Sequence, residues 1–139
     1  MFARYAIAKD AGRVLENALK KRGLKPGQKL PVIRTDNGPQ FIAKDFKKSC
    51  SKWKIEHERI PVKSPNLNAN IESFHSILED ECYERHEFES FAYAYEVITE
   101  YMDYYNNRRR HGSINNMAPN QFYKLYINGD PKVAIEMVA

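Results

Sequence analysis

Leu30-Pro31-Val32-Ile33-Arg34-Thr35-Asp36-Asn37-Gly38-Pro39-Gln40-Phe41 is the stretch that decides the fold. A short apolar run that ends in an acid and a turn predicts a strand over Pro31 to Thr35 with a carboxylate at its end. Pro31 is tolerated because it stands at the strand's start. Upstream, Val14, Leu15, Ala18 and Leu19 share one face at helical spacing, so Lys9 to Arg22 reads as a helix. Asp10 is its candidate N-cap and Gly23 its C′ residue. Phe2 to Ala8 reads as a further strand.

Downstream, Ala43 to Trp53 reads as a helix, Lys54 to Arg59 as a short strand, and Ile60 to Asn68 as a loop with two prolines. Asn70 to Tyr83 reads as a helix with Ile71, Phe74, Leu78 and Cys82 as its apolar stripe and Glu72, Ser76 and Glu79 on an adjoining polar face. Phe88 to Asn106 reads as the longest helix, with Phe91, Tyr95, Ile98, Met102 and Tyr105 at steps of three and four. That stripe is explained by core or subunit packing without base stacking. A short helix is expected around Pro119 to Tyr126. Strand and helix alternate through the first half, which implies α/β units with parallel strands. Three short strands make a thin sheet, however, and such a face needs more strands beside it.

The 139 residues suffice for one domain, 42% hydrophobic and 12% aromatic, which places the chain among globular rather than disordered sequences. The expected organisation is a core over 1–126 and a tail over 127–139. Lys+Arg number 22 against 18 Asp+Glu, a net charge of +4 compatible with nucleic acid and with much else. Cys50 and Cys82 form no CxxC pair and His57, His75, His86 and His111 show no zinc spacing with them, so both cysteines are read as core fillers. With no apolar run of membrane length, no membrane role is expected and the protein is placed in the cytoplasm.

Asp36 and Glu72, with 35 residues between them, carry the chemistry. One carboxylate at a strand end and one near a helix start suit a hard divalent cation. Each has an ordinary alternative: Asp36-Asn37-Gly38 as a tight turn, Glu72 as a charge favoured at a helix N-terminus.

Three ordered blocks bear on the choice: Arg34 to Phe41; Asn68-Ala69-Asn70-Ile71-Glu72-Ser73-Phe74-His75-Ser76; and Tyr105-Asn106-Asn107-Arg108-Arg109-Arg110-His111, followed by Pro119. Together they resemble an insertion-sequence transposase of the integrase catalytic core type, related to retroviral integrases. The interval of 35 residues is that family's spacing; Asn68, Ala69 and Glu72 meet its N-A-x-x-E pattern, and Tyr105, Asn106, Arg109 and His111 its Y-N-x-x-R-x-H pattern. The resemblance implies a ribonuclease H-like mixed sheet flanked by helices. It also implies a polynucleotidyl transferase acting in DNA transposition through three carboxylates and two Mg²⁺ or Mn²⁺ ions. Asp36 would be the second acid and Glu72 the third. The partners it implies are the DNA of mobile-element ends and targets and further copies of the chain or a full-length transposase, in a bacterial cell and on its nucleoid.

The same resemblance puts Lys63 and Ser64 in a loop that approaches DNA, Asn68 one turn before Glu72 and His75 one turn after it. Arg108, Arg109, Arg110 and His111 form the densest cationic run, suited to phosphate. The alternatives are a surface or semi-buried histidine at 75 and a solvated basic turn at the end of the preceding helix. The sequence departs from the pattern upstream. The only acids before Asp36 are Asp10 and Glu16, and Asp10 sits at a helix start. Phe2 to Ala8 matches the family's third strand, so the first strands and the first catalytic Asp are expected to be missing. Either the reading frame is a truncated copy or another chain supplies the rest. The chain alone is then expected to be inactive, its role reducing in the alternative to a non-catalytic DNA-binding or transposase-interacting module.

Overall fold

The structure, a computed structural model, describes residues 8–61 and 64–133. It divides into two compact units, Met1–Ser73 and Phe74–Ala139.

In the first unit, α1 (Ala8–Lys21) packs on α3 (Lys44–Trp53), with the single-turn α2 (Pro39–Ile42) against both. β1 (Ile33–Thr35) and β2 (His57–Arg59) pair in parallel, Ile33 opposite His57 and Thr35 opposite Arg59. Phe46, Cys50 and Trp53 of α3 join Leu19 and Ile55 in the core, with Leu15, Leu24, Ile33 and Phe41 packed around them. These are the apolar positions of two amphipathic helices meeting one face of a strand pair. Both helices end in the same way. Gly23 N–H bonds Lys20 O and Leu24 N–H bonds Leu19 O; Lys54 N–H bonds Ser51 O and Ile55 N–H bonds Cys50 O. Each is a Schellman stop whose next residue returns to the core. Gly23 fills the left-handed position at φ 69 as predicted, whereas Lys54 holds it at φ 55 with a side chain in place.

Several expectations change here. Asp10 is not the N-cap: α1 includes Ala8, so Asp10 lies in the first turn and its carboxylate accepts from Arg13 at 2.9 Å. Both described strands are three residues long, because Pro31 has no N–H to give and the Lys54–Ile55 stop delays the second. α2 was not expected; Pro39, without an N–H and with φ preset, starts it at the first helical position. The strand expected over Phe2 to Ala8 lies outside the described residues except for Ala8, which is helical.

α4 (Ala69–Glu81) begins in the first unit, after a 3-10 turn over Pro65–Asn68, and ends in the second. In the second unit it is followed by α5 (Phe91–Asn107), capped by Ser90 Oγ accepting from Tyr93 N–H, and by α6 (Pro119–Ile127). Leu78, Cys82, Ala118 and Val133 are buried, and Phe74 meets Tyr105 edge to face at 5.2 Å. The covered face of α5 is Ala94, Val97, Ile98, Tyr101, Met102 and Tyr105. Phe91 and Tyr95, expected in the stripe, are exposed, as is Ile71 on α4. Both cysteines are buried and free. Among the described residues no helix is long and apolar enough to cross a membrane.

Candidate active site

Asp36 follows β1 directly. Thr35, buried beneath it, donates from Oγ1 to Asp36 O at 2.9 Å and lies 2.9 Å from His57 Nε2 across the strand pair. Asn37 Nδ2 donates to Ile60 O at 2.7 Å, tying the turn to the end of β2. Asp36 Oδ1 accepts from Gly38 N–H at 2.8 Å, an Asx turn that leads into α2. A Cβ at Gly38 would stand 2.7 Å from the Gln40 amide nitrogen and 2.9 Å from that same Oδ1, so any larger residue would have to displace both side chains. The turn and the acid are thus one device. The backbone holds Oδ1, and Oδ2 has no hydrogen-bond partner among the described residues.

Glu72 lies in the first turn of α4, exposed and without an ion pair among the described residues. Asp36, Ser64, Asn68 and Glu72 all belong to the first unit; Ser64 and Asn68 are half-buried in and just before the 3-10 turn that feeds α4. Lys63 lies outside the described residues. Among the described residues no group of three or more His, Cys, Asp or Glu side chains converges as metal ligands would. The donor chemistry of Asp36 and Glu72 nonetheless fits a hard divalent cation: two exposed carboxylates, neither neutralised by a cationic side chain among the described residues. The upstream acids are engaged elsewhere, Asp10 with Arg13 and Glu16 with Lys52, each at 2.9 Å.

The remaining sequence-selected residues belong to the second unit. His75 is exposed beside the Phe74 ring. Arg108 and Arg110 are exposed, Arg108 over the Tyr104 ring and 3.6 Å from Asp103. Arg109 points elsewhere. Its guanidinium grips Glu81 in a bidentate pair, Nη2 to Oε1 at 2.6 Å and Nε to Oε2 at 2.8 Å. Tyr101 Oη donates to the same carboxylate at 2.8 Å. Arg109 holds the Glu81 carboxyl down to about 2, against an ordinary 4.5, and the phenol of Tyr101 is pushed up by burial and by Glu81. His111 stacks edge-on against Tyr105 at 4.7 Å, its Nδ1 3.2 Å from Arg109 Nη1. Burial and the neighbouring Arg109 lower its pKa. Half of the Y-N-x-x-R-x-H motif is therefore a packed ionic bracket. Sequence reasoning missed Glu81 and Tyr101, its partners. The only trace of them is that Glu81 falls on the covered side of α4, one turn from Leu78.

A family model described as Integrase core domain matches residues 53–119, which include Glu72, the whole 105–111 motif and Pro119 but not Asp36. Among curated proteins, the insertion element IS476 uncharacterized 39.2 kDa protein of Xanthomonas euvesicatoria is 40% identical over 95 residues, 68% of this chain and 28% of its own length. The chain carries an integrase core of the insertion-sequence transposase type. The insertion element IS407 uncharacterized 31.7 kDa protein of Burkholderia multivorans is 33% identical to this core over 110 residues, 79% of the chain and 38% of that protein. The transposase for insertion sequence element IS904 of Lactococcus lactis is 28% identical over 94 residues, 67% and 37%. The core thus spans between about a quarter and two fifths of these relatives' length. A chain in the cryoEM structure of a simian T-cell lymphotropic virus intasome, in complex with PP2A regulatory subunit B56 gamma, superposes with a TM-score of 0.68 at 15% identity. The match covers 97% of this chain and 43% of that one. The fold is the ribonuclease H-like integrase core, as expected from the three blocks.

Proposed function

We propose that this integrase core acts in DNA transposition, contributing Asp36 and Glu72 to a divalent-metal site that cleaves and rejoins DNA strands. The observation that carries the reading is the state of the two acids. Both stand exposed at element ends, without a neutralising cation among the described residues, at the family's interval. In solvent such carboxylates are ordinary. Within this family's pattern they are oxygen donors held ready for Mg²⁺ or Mn²⁺. The metal, when bound, supplies Lewis-acid stabilisation of the attacking and leaving oxygens of an in-line displacement at phosphorus. The chain's own residues do the positioning. Gly38 N–H fixes Asp36 Oδ1 and Asn37 pins the turn to Ile60. Ser64 and Asn68 flank the entry to α4, and exposed His75, Arg108 and Arg110 are offered to phosphate. Arg109 and His111 serve chiefly as the bracket on Glu81.

Two acids are one short of the expected set, and Asp10 and Glu16 are committed to ion pairs on α1. The third carboxylate then comes from outside these 139 residues, and the chain alone is inactive. Assembly with further copies is part of the reading. The test is a chimera in which the upstream strands of a relative such as the IS407 protein precede this chain, assayed for Mn²⁺-dependent nicking of a labelled duplex. Asp36→Asn, which preserves the Asx turn, and Glu72→Gln should each abolish nicking. Full activity in either variant would overturn the assignment.

A further inference from the structure

We propose that α1 and α3 of the first unit carry a second phosphate-tracking DNA surface, distinct from the two carboxylates and from the Arg108–Arg110 run. It rests on DNA being the substrate class proposed above. The first observation is a charge division that the net +4 conceals. Residues 1–73 hold 16 Lys+Arg against 7 Asp+Glu, and residues 74–139 hold 6 against 11. The excess positive charge of the whole chain therefore lies in the first unit.

The second observation is where that charge sits. Phe46, Cys50 and Trp53 are buried and fix which side of α3 faces the core. The opposite side is then Lys44, Lys47, Lys48, Ser51 and Lys52, all exposed. Along α1, exposed Lys9, Arg13 and Lys20 share one face; they line a cleft with Asp10 and Glu16 of α1 and with Asp45 and Ser49 of α3, so the unbalanced charge lies chiefly on the outward side of α3. Three of these cations have acidic neighbours: Arg13 with Asp10, Lys52 with Glu16 at 2.9 Å, and Lys48 with Asp45 at a loose 4.0 Å. Lys9, Lys44 and Lys47 form no ion pair among the described residues; neither does Lys20, although it helps to lower the pKa of Glu16. The outward side of α3 carries no large apolar residue, and lysine is depleted at protein–protein interfaces. A row of solvated lysines along about 15 Å of helix matches instead the closely spaced charges of a duplex backbone, read without sequence.

The test replaces Lys44, Lys47 and Lys48 with Gln in the full chain and measures affinity for a random 30-base-pair duplex by fluorescence anisotropy, without metal, across a KCl series. Each lost phosphate contact lowers the slope of log K against log salt by about 0.9, so the triple variant should lose about 2.7. Lys124→Gln, an exposed lysine of α6 outside both readings, should leave the slope unchanged, and the absence of metal from the assay separates this surface from the cleavage reading. The unfolding midpoint should also be unchanged; if the triple variant does not fold, Lys44→Gln and Lys47→Gln singly should each lose about 0.9. An unchanged slope, or no DNA binding by the wild type, would overturn the proposal. So would an effect confined to self-association in sedimentation velocity, which would mark the face as a contact between copies.

Discussion

Removing Arg109 should cost stability before it costs DNA affinity. Its bidentate pair with Glu81 joins residues 28 apart in sequence, and the two side chains are 20% and 28% exposed. The Glu81 carboxyl drops from an ordinary 4.5 to about 2. At 1.36 kcal/mol per pH unit, that shift sets a ceiling of about 3 kcal/mol on the bracket. Partial exposure reduces it: surface pairs contribute about 0.2–1 kcal/mol, and breaking a buried pair costs about 3–5. We expect about 2 kcal/mol. The assay is equilibrium urea unfolding of the wild type, Arg109→Ala, Glu81→Gln and the double variant, closed as a cycle. Because the folded-state pKa of Glu81 lies below the unfolded one, the stabilisation is complete above about 4.5 and disappears as pH falls towards 2. The coupling energy should therefore be about 2 kcal/mol at pH 7 and clearly smaller at pH 3. A coupling below about 0.5 kcal/mol, or one that does not change with pH, would refute the bracket. Loss of DNA affinity in Arg109→Ala with stability intact would return Arg109 to the phosphate-contacting set.

Other consequences follow from the same contacts. Lys54→Gly, relieving a side chain at φ 55, should raise stability by about 0.5–1 kcal/mol in thermal unfolding. Phe46→Ala, at 2% exposure between Phe41 and His57, should cost about 3–5 kcal/mol. Gly38→Ala would displace the Gln40 and Asp36 side chains that its Cβ meets, so it should reduce metal-dependent nicking by the chimera while changing the melting temperature little. Burial lowers the pKa of both His57 and His111, so the unfolded chain takes up protons first. Stability should fall as pH drops below about 6.5, measured as a decline in Tm from pH 7 to 5.

What the sequence disclosed follows from the range of the forces involved. Helices α1, α3, α4, α5 and α6 were legible within a few residues, because each buries a face whose period is written locally. The Schellman stop at Gly23 was legible for the same reason. The stop at Lys54 was not, since no propensity marks a lysine for φ 55. Periodicity also tells which side chains share a face but not which face is covered. Phe91 and Tyr95 obey the spacing and yet stand in solvent, while Ala94, Val97 and Tyr101 take the covered side. At the candidate site, Asp36 and Glu72 were visible as residues, but the Asx turn to Gly38 and the Asn37–Ile60 tie needed the fold. The bracket was the least legible. Three adjacent arginines look alike in sequence, and only the approach of Glu81 and Tyr101 separates the middle one from its neighbours.

The central claim is that Asp36 and Glu72 are ligands of one metal site, and Mn²⁺ binding followed by electron paramagnetic resonance in wild type, Asp36→Asn and Glu72→Gln tests it most directly. We predict weak binding to the wild-type chain, reduced at least the roughly tenfold that even a residue hydrogen-bonded behind a ligand costs, in each variant, with the double variant little worse than either. Binding that is equally strong in all four proteins would contradict the account.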